Sequence, residues 1–195
     1  HNLVQQSFLK ARPIFVTSTE DSASFTPLLE HLRAQAQQHA NTQRHQPFRL
    51  AVDRSFNVKG AGLVITGTAH SGSVTTDEHL FHYPSGQSVR VRGIRTQDQE
   101  GSTAGSGERC ALNIAGMELA NIQRGDWLSA TPPARYCALS VELHVSKDFP
   151  RAVKHWTPVH VYHATHHCQG RLALAPGQRL EPGQTAQIDL VLDES

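Results

Sequence analysis

The sequence predicts a mainly β protein: a small β-barrel followed by a second β-barrel module, with a short α/β segment in front. Three observations predict it. From Phe48 onward apolar residues recur with a period of two. Glycine- and proline-bearing turns separate these runs at the short spacing of a small barrel. Helical spacing occurs once, near the N-terminus. Apolar residues make up 38% of the 195 residues, which suits two small cores better than one large one.

The elements follow in order. Within residues 1–46, Ile14, Phe15 and Val16, followed by Thr17 and Ser18, predict a short buried strand. Phe25, Leu28, Leu29 and Leu32 fall on one face of a helix, with Thr26 as its cap and Pro27 in its first turn. Residues 35–46 are a polar tract of Gln, His, Asn and Arg that reads as helix tail or linker.

Residues 47–131 carry strands at 48–52, 63–66, 80–83, 89–94 and 110–114, and another entered through Gly125, Asp126, Trp127 and Leu128. Ser71-Gly72 and Pro84-Ser85-Gly86 are turns, and residues 97–107 (QDQEGSTAGSG) are a polar loop outside the core. Thr131, Pro132 and Pro133 end the unit as a stiff linker, because proline cannot extend a ladder. Residues 132–195 form the second module. Leu139, Val141, Leu143 and Val145 face one way, and further strands lie at 156–162, 172–175 and 186–192.

Composition narrows the function classes. A net charge of +1 gives no polybasic field, so any RNA contact must come from local stripes. Three cysteines, an odd number without CxxC spacing, together with the lack of a signal peptide, predict a reduced, cytoplasmic setting. No apolar run approaches the length of a membrane span, so no membrane partner is expected.

Two places carry candidate chemistry. Asp53-Arg54 sits in an otherwise apolar strand, and Arg109 follows a glycine-rich stretch. A half-buried charge needs a partner or a ligand. One reading is a structural ion pair of Asp53 with Arg54 or Arg109. The other is a small anion site, in which guanidinium forks converge at a barrel rim. Arg90, Arg92 and Arg95 lie around one strand as a solvated face or as candidate RNA phosphate contacts. His155, His160, His163, His166, His167 and Cys168 cluster; they read as polar face residues, some close to RNA, with a structural metal site as the lesser alternative because the spacing is weak for one, and no metal ligand is assigned. Trp127 and Trp156 read as packing residues.

Gly60, Gly62, Val64, Thr66 and Gly67 resemble the GxGxVxTG segment in the second domain of elongation factor Tu and its relatives. The surrounding VDRSFNVKGAGLVITGTAHSG, with LNIAG and NIQRGDWL, is more similar to the selenocysteine-specific elongation factors. The likeness is tight over residues 48–130 and looser over 134–175, where HWTPVHVYHATHHCQGRLAL resembles the start of a third domain. Residues 12–40 look like the last strand and helix of a GTPase domain, with Thr17-Ser18-Thr19 near that family's guanine-contacting motif.

The resemblance implies a function. The intact protein would deliver selenocysteinyl-tRNA to the ribosome using GTP and Mg, with Asp53, Arg54 and Arg109 matching the selenocysteinyl pocket. An mRNA hairpin would be read through regions outside this chain. The sequence holds no GxxxxGK[ST] or NKxD motif, and no DxxG followed by the expected switch. The fragment alone is therefore expected to be inactive and to need no cofactor. Thr76-Asp77 departs from the family's usual Gly-Asp turn. Alternatives are another tRNA-binding translational GTPase, a His-rich metal-dependent enzyme, or a ribosome-associated interaction module.

Overall fold

The computed structural model describes residues 10, 12–38, 45–132 and 134–193. The linker expected across residues 39–44 and Pro133 lies outside them. By contact density the chain divides into two units. One takes residues 1–40, 138–158 and 171–191, and the other takes 41–137, 159–170 and 192–195.

The larger unit holds a closed barrel. Its strands are β1 (Arg49–Val58), β2 (Gly62–Ser71), β3 (Ser73–Thr75), β4 (His79–Tyr83), β5 (Ser88–Thr96), β6 (Gln99–Gly101), β7 (Thr103–Gly105), β8 (Arg109–Ala115) and β9 (Trp127–Ser129). The sheet order is β4-β9-β1-β2-β8-β5-β6, and β4 also pairs with β5. That extra pairing closes the ring and removes its free edges. The barrel is filled by the inward residues of the alternating strands, among them Leu50, Val52, Ile65, Leu80, Val89, Val91, Leu112 and Leu128. Gly60 (φ 85°) and Gly62 (φ 91°) take left-handed conformations that turn β1 back into β2. Asp77 also takes a left-handed φ, 69°, in the turn where the sequence departs from the family pattern.

The expected polar loop at 97–107 is corrected. It contains β6 and β7, and Ala104 is 1% exposed within the core. Pairing decides this: β6 adds to β5 and β7 to β3, so one small apolar side chain is drawn in although its neighbours are polar. The expected strand at residues 14–18 is also corrected. Ser18 forms an isolated bridge with Asp21, while Ile14 and Val16 are exposed. No other described strand pairs with this segment, and an extended segment needs a ladder.

The predicted helix is present as α1 (Thr26–Gln38). Its start differs from expectation. A 3-10 turn, Ser22–Phe25, leads into it, and Asp21 accepts from Ala23 N at 3.0 Å. Thr26 already has helical φ and ψ, so it does not cap. Leu29 and Leu32 on the predicted apolar face are exposed.

The remaining strands are β10 (Ala138–His144), β11 (Val153–Lys154), β12 (Thr157–His163), β13 (His166–Ala173), β14 (Arg179–Leu180) and β15 (Thr185–Leu192). They form a four-stranded sheet, β10-β15-β13-β12, and a two-stranded one, β11-β14. The boundary between the two units falls inside β12 and β13. Trp156, expected as a packing residue, is 47% exposed. It occupies a turn with φ 66°, stacked on His155 rather than in a core.

A buried polar pair ties the barrel together. His82 Nε2 lies 2.9 Å from Asp126 Oδ2, and His82 Nδ1 lies 2.7 Å from Ser85 Oγ. Gln123 N also donates to Asp126 Oδ2. Both members of the pair are buried. Removing one partner strands the other, so His82→Ala is expected to cost about 3 kcal/mol in urea unfolding.

Trp127 tilts against His70 at 5.0 Å and stacks on His163 at 5.4 Å. Loss of water around His70, then the nearby His163 and Arg49, hold its pKa below the ordinary histidine range. The fold therefore favours neutral His70. This contribution is complete above the unfolded value of about 6.5 and is lost as pH falls through the lowered folded value. Acidification from pH about 7.5 to about 5 is expected to lower Tm less in His70→Asn than in the unchanged chain.

Candidate functional site

A β-bulge builds the site. Period-two alternation from Leu50 and Val52 would send Arg54 into the core. Instead the β1–β2 register shifts between Val52 and Arg54, leaving Asp53 as the extra residue. Such a bulge re-aims the side chains that follow it. Arg54 pairs with Thr66, Thr66 with Ala111, and Ala111 with Arg95. Directly paired residues share a sheet face, so Arg54 and Arg95 stand on the barrel's outer face. Thr68 pairs with Arg109 and puts it on the same face.

Asp53 and Arg109 meet directly. Arg109 Nη2 donates to Asp53 Oδ2 at 2.7 Å. The ion-pair reading is thus settled in favour of Arg109 over Arg54 as the direct partner. That hydrogen bond is the first cause holding the Asp53 carboxyl below the ordinary carboxylate range. Partial loss of water acts against it, and the charges of Arg109, Arg124 and Arg54 each add a smaller lowering. The carboxylate's contribution to stability is therefore present above its unfolded value, about 3.9, and fades as pH falls through the lowered one.

Arg124 went unrecognised as a charge of this site, although NIQRGDWL contains it. Three hydrogen bonds lay its loop along β1. Gly125 N donates to Val52 O at 3.1 Å, Val52 N to Asp126 O at 2.9 Å, and Ser55 Oγ to Ile122 O at 3.2 Å. Residues 122–126 thus run beside the bulge. One carboxylate against three guanidiniums leaves this corner net positive.

Next to it runs an open cleft of about 1160 Å³. Arg92, Arg95 and Arg109 line it, matched in number by the acidic Asp98, Glu100 and Glu108, so the excess of positive charge lies at the corner rather than along the cleft. Arg90 does not, although it is exposed like the other two arginines of β5. A second bulge, at Arg92, breaks the alternation of that strand. Arg95 donates to Asp98 O at 3.0 Å. On the cleft wall, Thr66 Oγ1 and Asn113 Oδ1 are buried and make no hydrogen bond. Burial pushes the neighbouring Cys110 thiol up to about 12, so it offers no nucleophile at neutral pH. The corner is suited to holding an anion beside a groove. Among the described residues no three His, Cys, Asp or Glu side chains come together to hold a metal. No described helix is long and apolar enough to cross a membrane.

A closed barrel with a bulged first strand and a cationic outer corner defines the class: a translation elongation factor barrel. The comparisons narrow it further. The family profile described as "Selenocysteine-specific elongation factor, beta-barrel domain" matches residues 140–195. The selenocysteine-specific elongation factor of Escherichia coli (strain K12) is 40% identical over 174 residues, covering 88% of this chain and 27% of that protein. That of Desulfomicrobium baculatum is 35% identical, covering 92% of this chain and 28% of the relative. The crystal structure of a bacterial EF-Sec overlays with a TM-score of 0.69 at 22% identity, covering 86% of this chain and 27% of the other. The apo structure of SelB from Methanococcus maripaludis gives 0.69 at 22%, covering 87% and 41%. Over the section it spans, this chain belongs to the selenocysteine-specific elongation factor family. It spans about a quarter of the length of these curated relatives.

Proposed function

We propose that the chain is the aminoacyl-recognising section of a protein that delivers selenocysteinyl-tRNA to the ribosome with GTP and Mg. Residues 47–131 serve as its second domain and 132–195 as part of its third. Neither a GxxxxGK[ST] phosphate loop nor an NKxD motif occurs in this sequence, so this section binds and does not turn over. Asp53, Arg54 and Arg109 form the selenocysteinyl pocket, and Arg90, Arg92 and Arg95 contact RNA phosphates.

The observation that carries this reading is the bulge, which sets Arg54 on the outer face shared with Arg109 and leaves Asp53 in hydrogen-bond contact with Arg109. A selenol ionises far more readily than a cysteine thiol, whose ordinary pKa is about 8.5. Selenocysteine therefore presents an anion where serine presents a neutral hydroxyl. Arg109 is held loosely enough to be shared. Its side chain is 58% exposed and that of Asp53 22%. Such a pair contributes only about 0–1 kcal/mol, whereas a hydrogen bond to a charged ligand contributes about 1.5–3 kcal/mol. With serine, Arg109 keeps Asp53 as its partner and gains no charged ligand, and sites built for a charged or polar group discriminate against analogues lacking it.

Competition among selenocysteinyl-, cysteinyl- and seryl-tRNA for the longer parent protein, loaded with GTP, tests the reading. Selenocysteinyl-tRNA is expected to win over both. Equal affinities would favour the alternative of a general tRNA-binding translation factor.

A further inference from the structure

We propose that the exposed face of the β12–β13 hairpin, where Tyr162 stacks on His167 beside His160 and Gln169, is a platform for an unpaired RNA base. The hairpin turns through Ala164 and Thr165, with Ala164 at φ 53°. A two-residue turn sets Tyr162 opposite His167 and His160 opposite Gln169. The first pairing is visible in the rings, 5.9 Å apart and inclined by only 18°. All four residues are exposed, Tyr162 at 75%.

Holding a large ring so far into water gains the fold little. A parallel aromatic–imidazole pair on a strand surface instead matches the way sheet faces stack single-stranded bases. The surroundings suit a base edge. A cavity of about 400 Å³ beside the stack is lined by His160, His167, Cys168, Gln169 and Asp193. Asp193 offers acceptors, Gln169 both donor and acceptor, and each imidazole one of each. No large aliphatic side chain lines the cavity, so it lacks the apolar anchor pocket that protein partners favour. Stacking on the ring pair and hydrogen bonds to the base edge, rather than charge, carry recognition on this face. This platform shares no residue with the cleft beside Arg109.

The test is titration of the whole chain with fluorescent single-stranded RNA heptamers, at low and at moderate salt. Tyr162→Ala is expected to weaken binding about tenfold, since stacking on one aromatic contributes that order of affinity. Tyr162→Phe is expected to bind within about twofold of the unchanged chain, because the ring face is kept. Tyr162 is exposed, so neither change threatens folding. The heptamers carry no aminoacyl group, which separates this binding from recognition at the Asp53–Arg109 corner. Unchanged affinity in Tyr162→Ala, or an equal loss in Tyr162→Phe, overturns the proposal and leaves the aromatic pair to a protein partner.

Discussion

Arg109→Ala in the longer parent protein is expected to weaken selenocysteinyl-tRNA binding roughly 10- to 100-fold, the loss of one charge-assisted hydrogen bond. Seryl-tRNA affinity should change by less than about threefold, because a neutral hydroxyl gains little from a second guanidinium. The ratio of the two affinities is the readout, since a general disturbance of the barrel would lower both together. Asp53 sharpens the expectation. With Arg109 gone, its carboxylate loses its only direct hydrogen bond among the described residues and is left facing the ligand, which adds repulsion against a selenolate and none against serine. Arg109→Lys should recover part of the affinity and little of the discrimination, because an ammonium keeps the charge but not the planar fork. Equal losses for the two aminoacyl-tRNAs would remove Arg109 from the pocket.

A large stability effect is expected at Gly67, on β2 between Thr66 and Thr68. A Cβ there would stand 2.1 Å from Ala51 O and 2.8 Å from Leu50 Cδ2. The first of these is backbone of the paired strand, which cannot swing aside as a flexible side chain would. Overpacking ordinarily costs about 1–3 kcal/mol and more when backbone must move, so Gly67→Ala is expected to cost about 3 kcal/mol or more. For a unit of this size that is a fall in Tm of at least roughly 12 °C. The same glycine lets β1 and β2 approach closely at Val52, one residue before the bulge. Thermal unfolding followed by circular dichroism checks the expectation, and a Tm within about 2 °C of the unchanged chain would contradict it.

The residues explain what could be read in advance. Strands β5 and β8 were legible because Val89, Val91, Leu112 and Ile114 alternate cleanly with outward residues. The turn at Gly60–Gly62 was legible because glycine is the residue that takes positive φ without strain. The bulge at Asp53 was not. Strict alternation assigns Arg54 to the inside, and a one-residue insertion leaves no mark in a single sequence. Nor was Ala104 in the core, since a small side chain among Gly, Ser and Thr gives no apolar period. Ile14 and Val16 misled in the opposite direction: β-branched residues suit a strand, but no described neighbour pairs with them. Arg124 was present in a quoted motif, yet only the hydrogen bonds of Gly125 and Asp126 to Val52 place it beside Asp53.

The measurement that bears most directly on charge recognition is the preference for selenocysteinyl- over seryl-tRNA as a function of pH, from about 7.5 down to about 4.5, in the longer parent protein. Arginines stay charged throughout this range, and Asp53, held below the ordinary carboxylate range by Arg109, stays ionised across it. The selenol is then the group of the pocket that titrates. The preference is expected to be greatest near neutrality and to shrink toward unity as the selenolate takes up its proton. A preference that stays constant across the titration would show that size or shape, rather than negative charge, is what the Asp53–Arg54–Arg109 corner selects.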